Sequence, residues 1–395
     1  MTADNYTIAS GSTLYAGCAP PSSGGGSLPA WLAAANPAIG QYVTIPNSNL
    51  SSVPRAVTGI IINGSTGPQS KIIAYAGAAF NRLTGDYTVG PHGGHKDYGG
   101  NEFDAINIFA DAPAWQEWAP ATQDSLIYAL SDYYADYRPA AKHSYSLTHW
   151  LPSIGKCVMM PIGGYDLGAT FPVGWPYTGG IYGSSFDITT KTYDHPSTIA
   201  PYPGTGDPFS ALCCMDPVTE TIYMSNNYGD GIYSYVKPTN TWTKISSIAR
   251  APWYCSSAVD HGRNRMLVVG GWDVTAPAIF PLNGSTPSFP TITGPNAADW
   301  TFATPSGALI YDELHDCYLL FKNSGAIIDN WRLDANTFYA DKPTRTGTLP
   351  AARLDGNGGP AGLYNSLQYV PNIGGMSGVV GTSSYTGNMF FLRLS

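Results

Sequence analysis

The chain is 395 residues long and carries a formal charge of −8, with 12% charged residues against roughly 25% in an average globular protein. Its 19 Lys and Arg are scattered singly, so no basic cluster exists to release counterions, and this argues against a nucleic-acid partner. In their place stand 45 Gly, 32 Pro and 13% aromatics, a mixture that specifies many turns and strands and little helix surface.

Read in chain order, the first segment, 1-MTADNYTIASGSTLYAGCAPP, has no basic n-region and no continuous apolar h-region, so it does not read as a secretory signal. No apolar run approaches the roughly 18 residues that span a bilayer, and no membrane insertion is expected. Residues 1–40 read as an arm ahead of a single domain at 41–395. Helical periodicity is confined to 28-LPAWLAAA and 124-DSLIYALSDYYADY.

From residue 57 a weak unit recurs: an apolar strand, a turn rich in Asp, Pro, Asn or Gly, a second apolar strand ending in small residues, then a third and a fourth strand. The copies are 57-VTGIIINGSTGPQSKIIAYAGAAF, 144-SYSLTHWLPSIGKCVMMPIGGYD, 210-SALCCMDPVTETIYMSNN, 256-SSAVDHGRNRMLVVGGWD, 307-GALIYDELHDCYLLFKNS and 366-SLQYVPNIGGMSGVVGTS. Fourth-strand candidates follow the first five at 115-WQEWAPA, 192-TYDHPST, 241-TWTKISS, 288-SFPTITG and 337-TFYADKP. The sixth copy has none before the sequence stops, whereas 41-QYVTIPN precedes the first.

A ring of four-stranded sheets, its last blade completed by the strand from the other end, explains both facts and removes open sheet edges. The expectation is an all-β, six-bladed β-propeller, with seven blades as the fallback. The blades fall at about 57–121, 142–198, 208–248, 253–295, 305–345 and 363–395 plus 41–47. The Gly-Gly endings 163-GGYD and 270-GGWD, with Trp-bearing fourth strands, resemble kelch or galactose-oxidase-like propellers over residues of about 40 to 395.

Chemistry-bearing residues concentrate in 91-PHGGHKDYGGNEFDAINIF, between strands 2 and 3 of blade 1. Propeller geometry sets this loop beside 138-RPAAKHSYSLTHW, which leads into blade 2. His95, His143, Tyr98 and Tyr145 are the candidate base and acid. His92, Lys96, Asn101, Lys142, Trp175, Arg250, Trp253 and Tyr254 are candidate binding residues, the cations suited to a carboxylate and the aromatics to sugar rings. Some ulvan-type lyases are propellers similar in their use of His, Tyr and Arg, a resemblance that implies elimination on a uronic acid. The competing reading is a polar structural loop whose Asp and Asn serve the backbone.

His149, His195, His261 and His315 fall at the opposite end of the blades and read as structural. The six cysteines include no CxxC or Cys/His zinc spacing and sit mostly in apolar runs, so they read as small buried hydrophobes. Neither a metal nor a cofactor is expected.

Two functions compete. One is a carbohydrate-directed propeller that binds a glycan or surface polysaccharide, or cleaves it by elimination. The other is a non-enzymatic virion protein, for decoration or receptor binding, docked by residues 1–40. The low charge and Ser/Thr/Gly/Asn texture resemble a bacteriophage virion protein, and a virion or extracellular surface is the expected location.

Overall fold

The structure is a computed structural model that describes residues 28–93, 97–127, 133–162, 182–194, 198–204, 212–225, 231–247, 254–271, 276–302, 307–355 and 361–395. Its described strands form six small sheets, the arrangement of a six-bladed β-propeller. Blade 1 is Ala79–Phe80, Asp86–Val89, Phe103–Asn107 and Trp115–Ala119, and blade 2 is Thr148–Leu151, Lys156–Met159, Ser184–Asp187 and Thr192–Tyr193. Blade 3 is Leu212–Met215, Ile222–Ser225, Ile232–Val236 and Thr241–Ser246. Blade 4 has Ser256–Asp260, Arg265–Val269 and Ala278–Pro281, with its fourth strand reduced to a bridge between Ile279 and Ser288. Blade 5 is Ala308–Asp312, Cys317–Ser324, Ile327–Asp334 and Ala340–Asp341.

Blade 6 closes the ring. Its own strands are Leu367–Ile373, Met376–Gly381 and Phe390–Arg393, and its outer strand is Gln41–Thr44. Val43 pairs antiparallel with Phe391, and Gln41 pairs in parallel with Thr346 of the blade 5–6 connection.

The hairpin joining strands 1 and 2 has one chemistry in four blades. Asn81, Asp216, Asp260 and Asp312 each accept backbone N–H bonds from residues two or three further on. Such Asx turns let a short side chain replace the missing ladder partner. The turns in blades 3, 4 and 5 end on left-handed residues, Glu220, Asn264 and Asp316. His261 and His315 belong to these turns, bonded to Asp216 and Asp312 at 2.8 and 2.7 Å.

Apolar side chains from facing sheets form the core between blades. The tightest contact stacks Phe103 of blade 1 on Phe186 of blade 2, with ring centroids 3.8 Å apart and planes 2° from parallel. The helix Ala30–Ala35 sits in this core too: Trp31 donates its indole N–H to the Ile108 carbonyl and meets Phe391 edge to face. The chain is therefore packed on the propeller well ahead of residue 40.

Blade 1 departs from expectation in its first half. The stretch 57–76 supplies two single helical turns, Ile60–Asn63 and Ser70–Ile73, and strands 1 and 2 come afterwards at 79–80 and 86–89. The loop of interest still lies between strands 2 and 3. Gly77 explains part of the shift: a Cβ there would fall 2.2 Å from the Tyr145 carbonyl, so only a bare backbone passes between blades 1 and 2.

Candidate functional site

Beneath the blade 1 loops lies a closed set of charges. Lys71, Glu102 and Asp104 have fully buried side chains, and Arg55 is nearly so. Lys71 Nζ stands 3.1 Å from Asp104 Oδ2 and donates to the Glu102 carbonyl at 2.7 Å. Arg55 reaches Asp104 at 2.7 Å, Glu102 at 3.4 Å and Glu117 at 3.5 Å. Burial first, then Asp104 and Glu102, raises the Glu117 pKa. Tyr98 is buried with its hydroxyl donated to Glu102 Oε1 at 2.7 Å.

Four expected site residues serve the loop itself. Tyr98 is bound to that cluster. Asn101 donates to the Thr122 hydroxyl and the Pro139 carbonyl and accepts from Thr122 N–H. Lys142 donates to the Tyr182 carbonyl at 3.1 Å. His92 is fully buried, and neither ring nitrogen makes a well-formed hydrogen bond, although the Pro91 and Gly77 backbones lie close. Burial, then the Lys71 and Arg353 cations, holds its pKa well below the usual value. All four are buried, the placement that the structural-loop reading expects.

What reaches the surface is Asp97. The Gly93 N–H bonds to the Lys142 carbonyl and the Tyr98 N–H returns to the Gly93 carbonyl, which ties the loop to the segment entering blade 2. Gly93 has φ 109°, and a Cβ there would lie 2.8 Å from the Tyr98 Cβ, so the turn requires glycine. The Asp97 carbonyl accepts from Thr66 N–H and Gly67 N–H, both at 2.9 Å. Its carboxylate is split, Oδ1 taking the Thr66 hydroxyl at 3.0 Å and Oδ2 meeting His143 Nε2 at 2.8 Å. The carboxylate is 27% exposed whereas His143 is 5% exposed with Nδ1 buried.

The Tyr75 ring lies 4.9 Å from the His143 ring. It belongs to a group of four tyrosines, Tyr75, Tyr145, Tyr254 and Tyr364, each a few residues ahead of strand 1 of blades 1, 2, 4 and 6. Their centroids are 5.3–6.3 Å apart in the contacting pairs. All four adopt the left-handed backbone, at φ 49°, 44°, 60° and 48°. A left-handed non-glycine residue costs of order 1–3 kcal/mol, so the packing must hold each of them there. Burial pushes the Tyr254 hydroxyl up to about 12, and burial followed by Asp355 and Asp97 raises Tyr75. These hydroxyls therefore stay protonated and able to donate.

Ser65, Thr66, Gln69, Ile73, Ala74, Tyr75, Asp97 and Asp355 enclose a cavity of about 290 Å³. Its wall offers one aromatic face, two carboxylates, three hydroxyls counting that of Tyr75, and an amide. No Lys or Arg is among these described lining residues. Sequence reading brought His143 and the 91–102 loop together correctly but missed Tyr75, Thr66 and Asp355. A signal existed for the first, since an aromatic recurs just ahead of strand 1 in several copies. Among the candidates, His95, Lys96, Trp175, Arg250 and Trp253 lie outside the described residues, as does His195. No cluster of three or more His, Cys, Asp or Glu suited to a metal occurs among the described residues. No helix among them is long and apolar enough to cross a membrane.

The fold and this loop-borne site define a six-bladed β-propeller with a polar cavity between the segment ahead of blade 1, the blade 1 loop and Asp355 of the blade 5–6 connection. No protein-family model matches the sequence, and a search of curated proteins found no match. Solved structures similar to it include TolB from Acinetobacter baumannii, at 12% identity and a TM-score of 0.37, over 80% of this chain and 62% of that one. Another is a structural-genomics protein of unknown function from Bacteroides thetaiotaomicron VPI-5482, at 11% identity and a TM-score of 0.49, over 89% and 74%. The chain thus spans about 62% of the length of the TolB structure. These likenesses are distant, and the fold assignment rests on the six sheets themselves.

Proposed function

We propose that the protein is a carbohydrate-binding β-propeller that holds a neutral sugar in the cavity between Tyr75, Asp97 and Asp355. The observation that carries this reading is Asp97, a carboxylate fixed by Thr66 and His143 yet open to a cavity with an aromatic wall. Sugar rings present apolar C–H faces to aromatic rings and hydroxyl edges to carboxylates and amides. About 290 Å³ matches one ring or part of a short chain.

The same wall disfavours elimination on uronic acids. That reaction needs a cation against the substrate carboxylate, and here two carboxylates would repel it. The His143 nitrogen not facing Asp97 is buried, so the ring orients Asp97 and is poorly placed to take a substrate proton. Assembly through residues 1–40 would have to rely on residues 1–27, because the helix at 30–35 is seated in the core. The kelch resemblance adds nothing on ligand choice.

The test is a glycan array carrying neutral, amino and acidic sugars, followed by calorimetry on any hit. Asp97→Asn and Tyr75→Ala should each weaken a genuine neutral-sugar hit at least tenfold, since a charged hydrogen bond is worth about 1.5–3 kcal/mol. Silence across the array, or hits unmoved by both substitutions, would overturn the reading. Growth of unsaturated-uronate absorbance would restore the lyase.

A further inference from the structure

The face opposite the candidate site carries apolar side chains on turns that point to solvent. The hairpins joining strands 1 and 2 surround the lower end of the central channel, whose wall includes Arg82, Pro152, Pro217 and Glu313 from them. At the hairpin tips stand Leu83, Ile154, Val218 and Leu314 of blades 1, 2, 3 and 5, exposed by 46%, 37%, 51% and 60%. Leu83, Val218 and Leu314 share one position, two residues after the Asx residue of the turn, to which each gives its backbone N–H. The turn uses only that N–H, so nothing in its chemistry calls for an apolar side chain. Polar contacts gather the four into two pairs. Arg82 of blade 1 passes over the Tyr369 ring of blade 6 and meets Glu313 of blade 5 at 3.0 Å, and Leu83 and Leu314 directly follow these two residues. Ser153 gives its N–H and hydroxyl to Glu220 at 2.9 and 2.6 Å, which ties the tips bearing Ile154 and Val218.

The blade 6 tip is already covered, and by this chain. Its turn is Gly374–Gly375, both left-handed at φ 58° and 87°. A Cβ on Gly374 would fall 2.5 Å from Leu28 Cα, so the backbone ahead of the propeller lies directly on this tip. Leu28 packs there against the cluster that holds Trp31 and Ile373. Two residues on, the Ala30 N–H bonds to Asp111 in the strand 3–4 turn of blade 1, on the same face. Blade 6 lies between blades 5 and 1 in the ring, so the covered tip stands between those of Leu314 and Leu83.

We propose that the segment ahead of Leu28, residues 1–27, continues this contact across the hairpin face and covers the four apolar tips. These residues lie outside the described ones, and the point where the description begins, Leu28, is itself on the surface in question. The sequence of the segment fits the task. Asp4 is its one charged side chain, whereas Tyr6, Ile8, Leu14 and Tyr15 supply apolar area. Next to Leu28 comes 22-SSGGGS-27; a Gly/Ser run of six spans about 13 Å on average and about 20 Å at most. So short a tether holds what precedes it at an effective concentration of order millimolar over the hairpin face, which favours this segment over a second copy. Grouped exposed apolar residues mark interaction surfaces, and here an intrachain contact already starts at their centre. The face that carries Tyr75 and Asp97 is left open.

The experiment is hydrogen–deuterium exchange on the full chain, read by mass spectrometry over peptides from residues 6–18. In the wild type these amides should exchange at least tenfold more slowly than an unstructured chain of the same sequence. Leu83→Ser/Leu314→Ser should bring them to within about twofold of the unstructured rate, with exchange in the blades unchanged. A photoreactive p-benzoylphenylalanine in place of Leu314 should crosslink to residues 1–27 of the same molecule. The same probe at Tyr137, which is 68% exposed on the opposite face, should give at least tenfold less of that product. Unprotected amides in the wild type overturn the proposal, and so does protection that survives the double substitution. Crosslinks that join two molecules overturn it in favour of a second copy, and equal yields from the two probe positions overturn it as well. The wild-type exchange decides the matter even if a variant fails to fold.

Discussion

Replacing Lys71 with methionine is the most direct test of the buried charges that carry the candidate loop. Lys71 stands 3.1 Å from Asp104 and 3.7 Å from Glu102, and all three side chains are fully buried. With an effective dielectric of about 20, those separations give attractions of about 5 and 4 kcal/mol. Desolvating the ammonium returns several kcal/mol, so the net loss on truncation should be the 3–5 kcal/mol typical of breaking a buried ion pair. The cause is the two carboxylates left with Arg55 alone. With an m-value of about 3 kcal/mol per molar, the urea midpoint falls by about 1–1.7 M. The double variant Lys71→Met/Glu102→Gln removes one charge of each sign and keeps an acceptor for Tyr98. It should be more stable than Lys71→Met by at least about 1 kcal/mol, a coupling read from a double-mutant cycle. A single variant within about 1 kcal/mol of wild type, or a double variant no better than additive, would refute the electrostatic account.

His92 gives a pH signature. Its imidazole stays neutral in the fold, well below the usual 6.5, whereas the unfolded chain takes up a proton there. Its contribution is thus intact above pH 6.5 and is lost as pH falls below it, at about 1.4 kcal/mol per pH unit. Urea midpoints measured down the acid side should show a shallower slope for His92→Gln than for wild type. Phe186→Ala, which removes the stack on Phe103, should cost about 3–5 kcal/mol by chemical denaturation without altering the glycan profile. Trp31→Ala should cost a similar amount, because it removes a buried indole bonded to Ile108; a neutral result would mean that the helix at 30–35 is not integral to the propeller.

The sequence exposed the ring because four of the six blades repeat one hairpin chemistry locally. An Asp or Asn two or three residues before the N–H groups it caps, and an outer strand missing from the sixth copy but present near residue 41, are visible without coordinates. Blade 1 hid its true first strand because 57-VTGIIINGSTGPQSKIIAYAGAAF is apolar enough for either helix or strand. Only the close passage at Gly77 and the buried Lys71 settle that stretch as helical turns leading to a short strand. The meeting of the 91–102 loop with His143 was legible from the order of blades. Which of its residues faces outward was not, since burial of His92 and Asn101 depends on Lys71 and Thr122 arriving from other parts of the fold, and Tyr98 turns inward to Glu102, itself held among Lys71 and Arg55. A side chain's partner, more than its own type, decided whether it serves the loop or the cavity.

The closing strand has a consequence for biosynthesis. Arg393 donates to the Pro37 carbonyl across 356 residues, and Val43 waits for Phe391 over nearly the same span. Blades 1 to 5 can assemble in turn as they leave the ribosome, each on local hairpins. The strand at Gln41–Thr44 emerges before all of them and finds its sheet only when the sixth blade is made. Until then an unpaired edge stays available to neighbouring chains, and the latch, rather than any blade, should set the slowest step of folding.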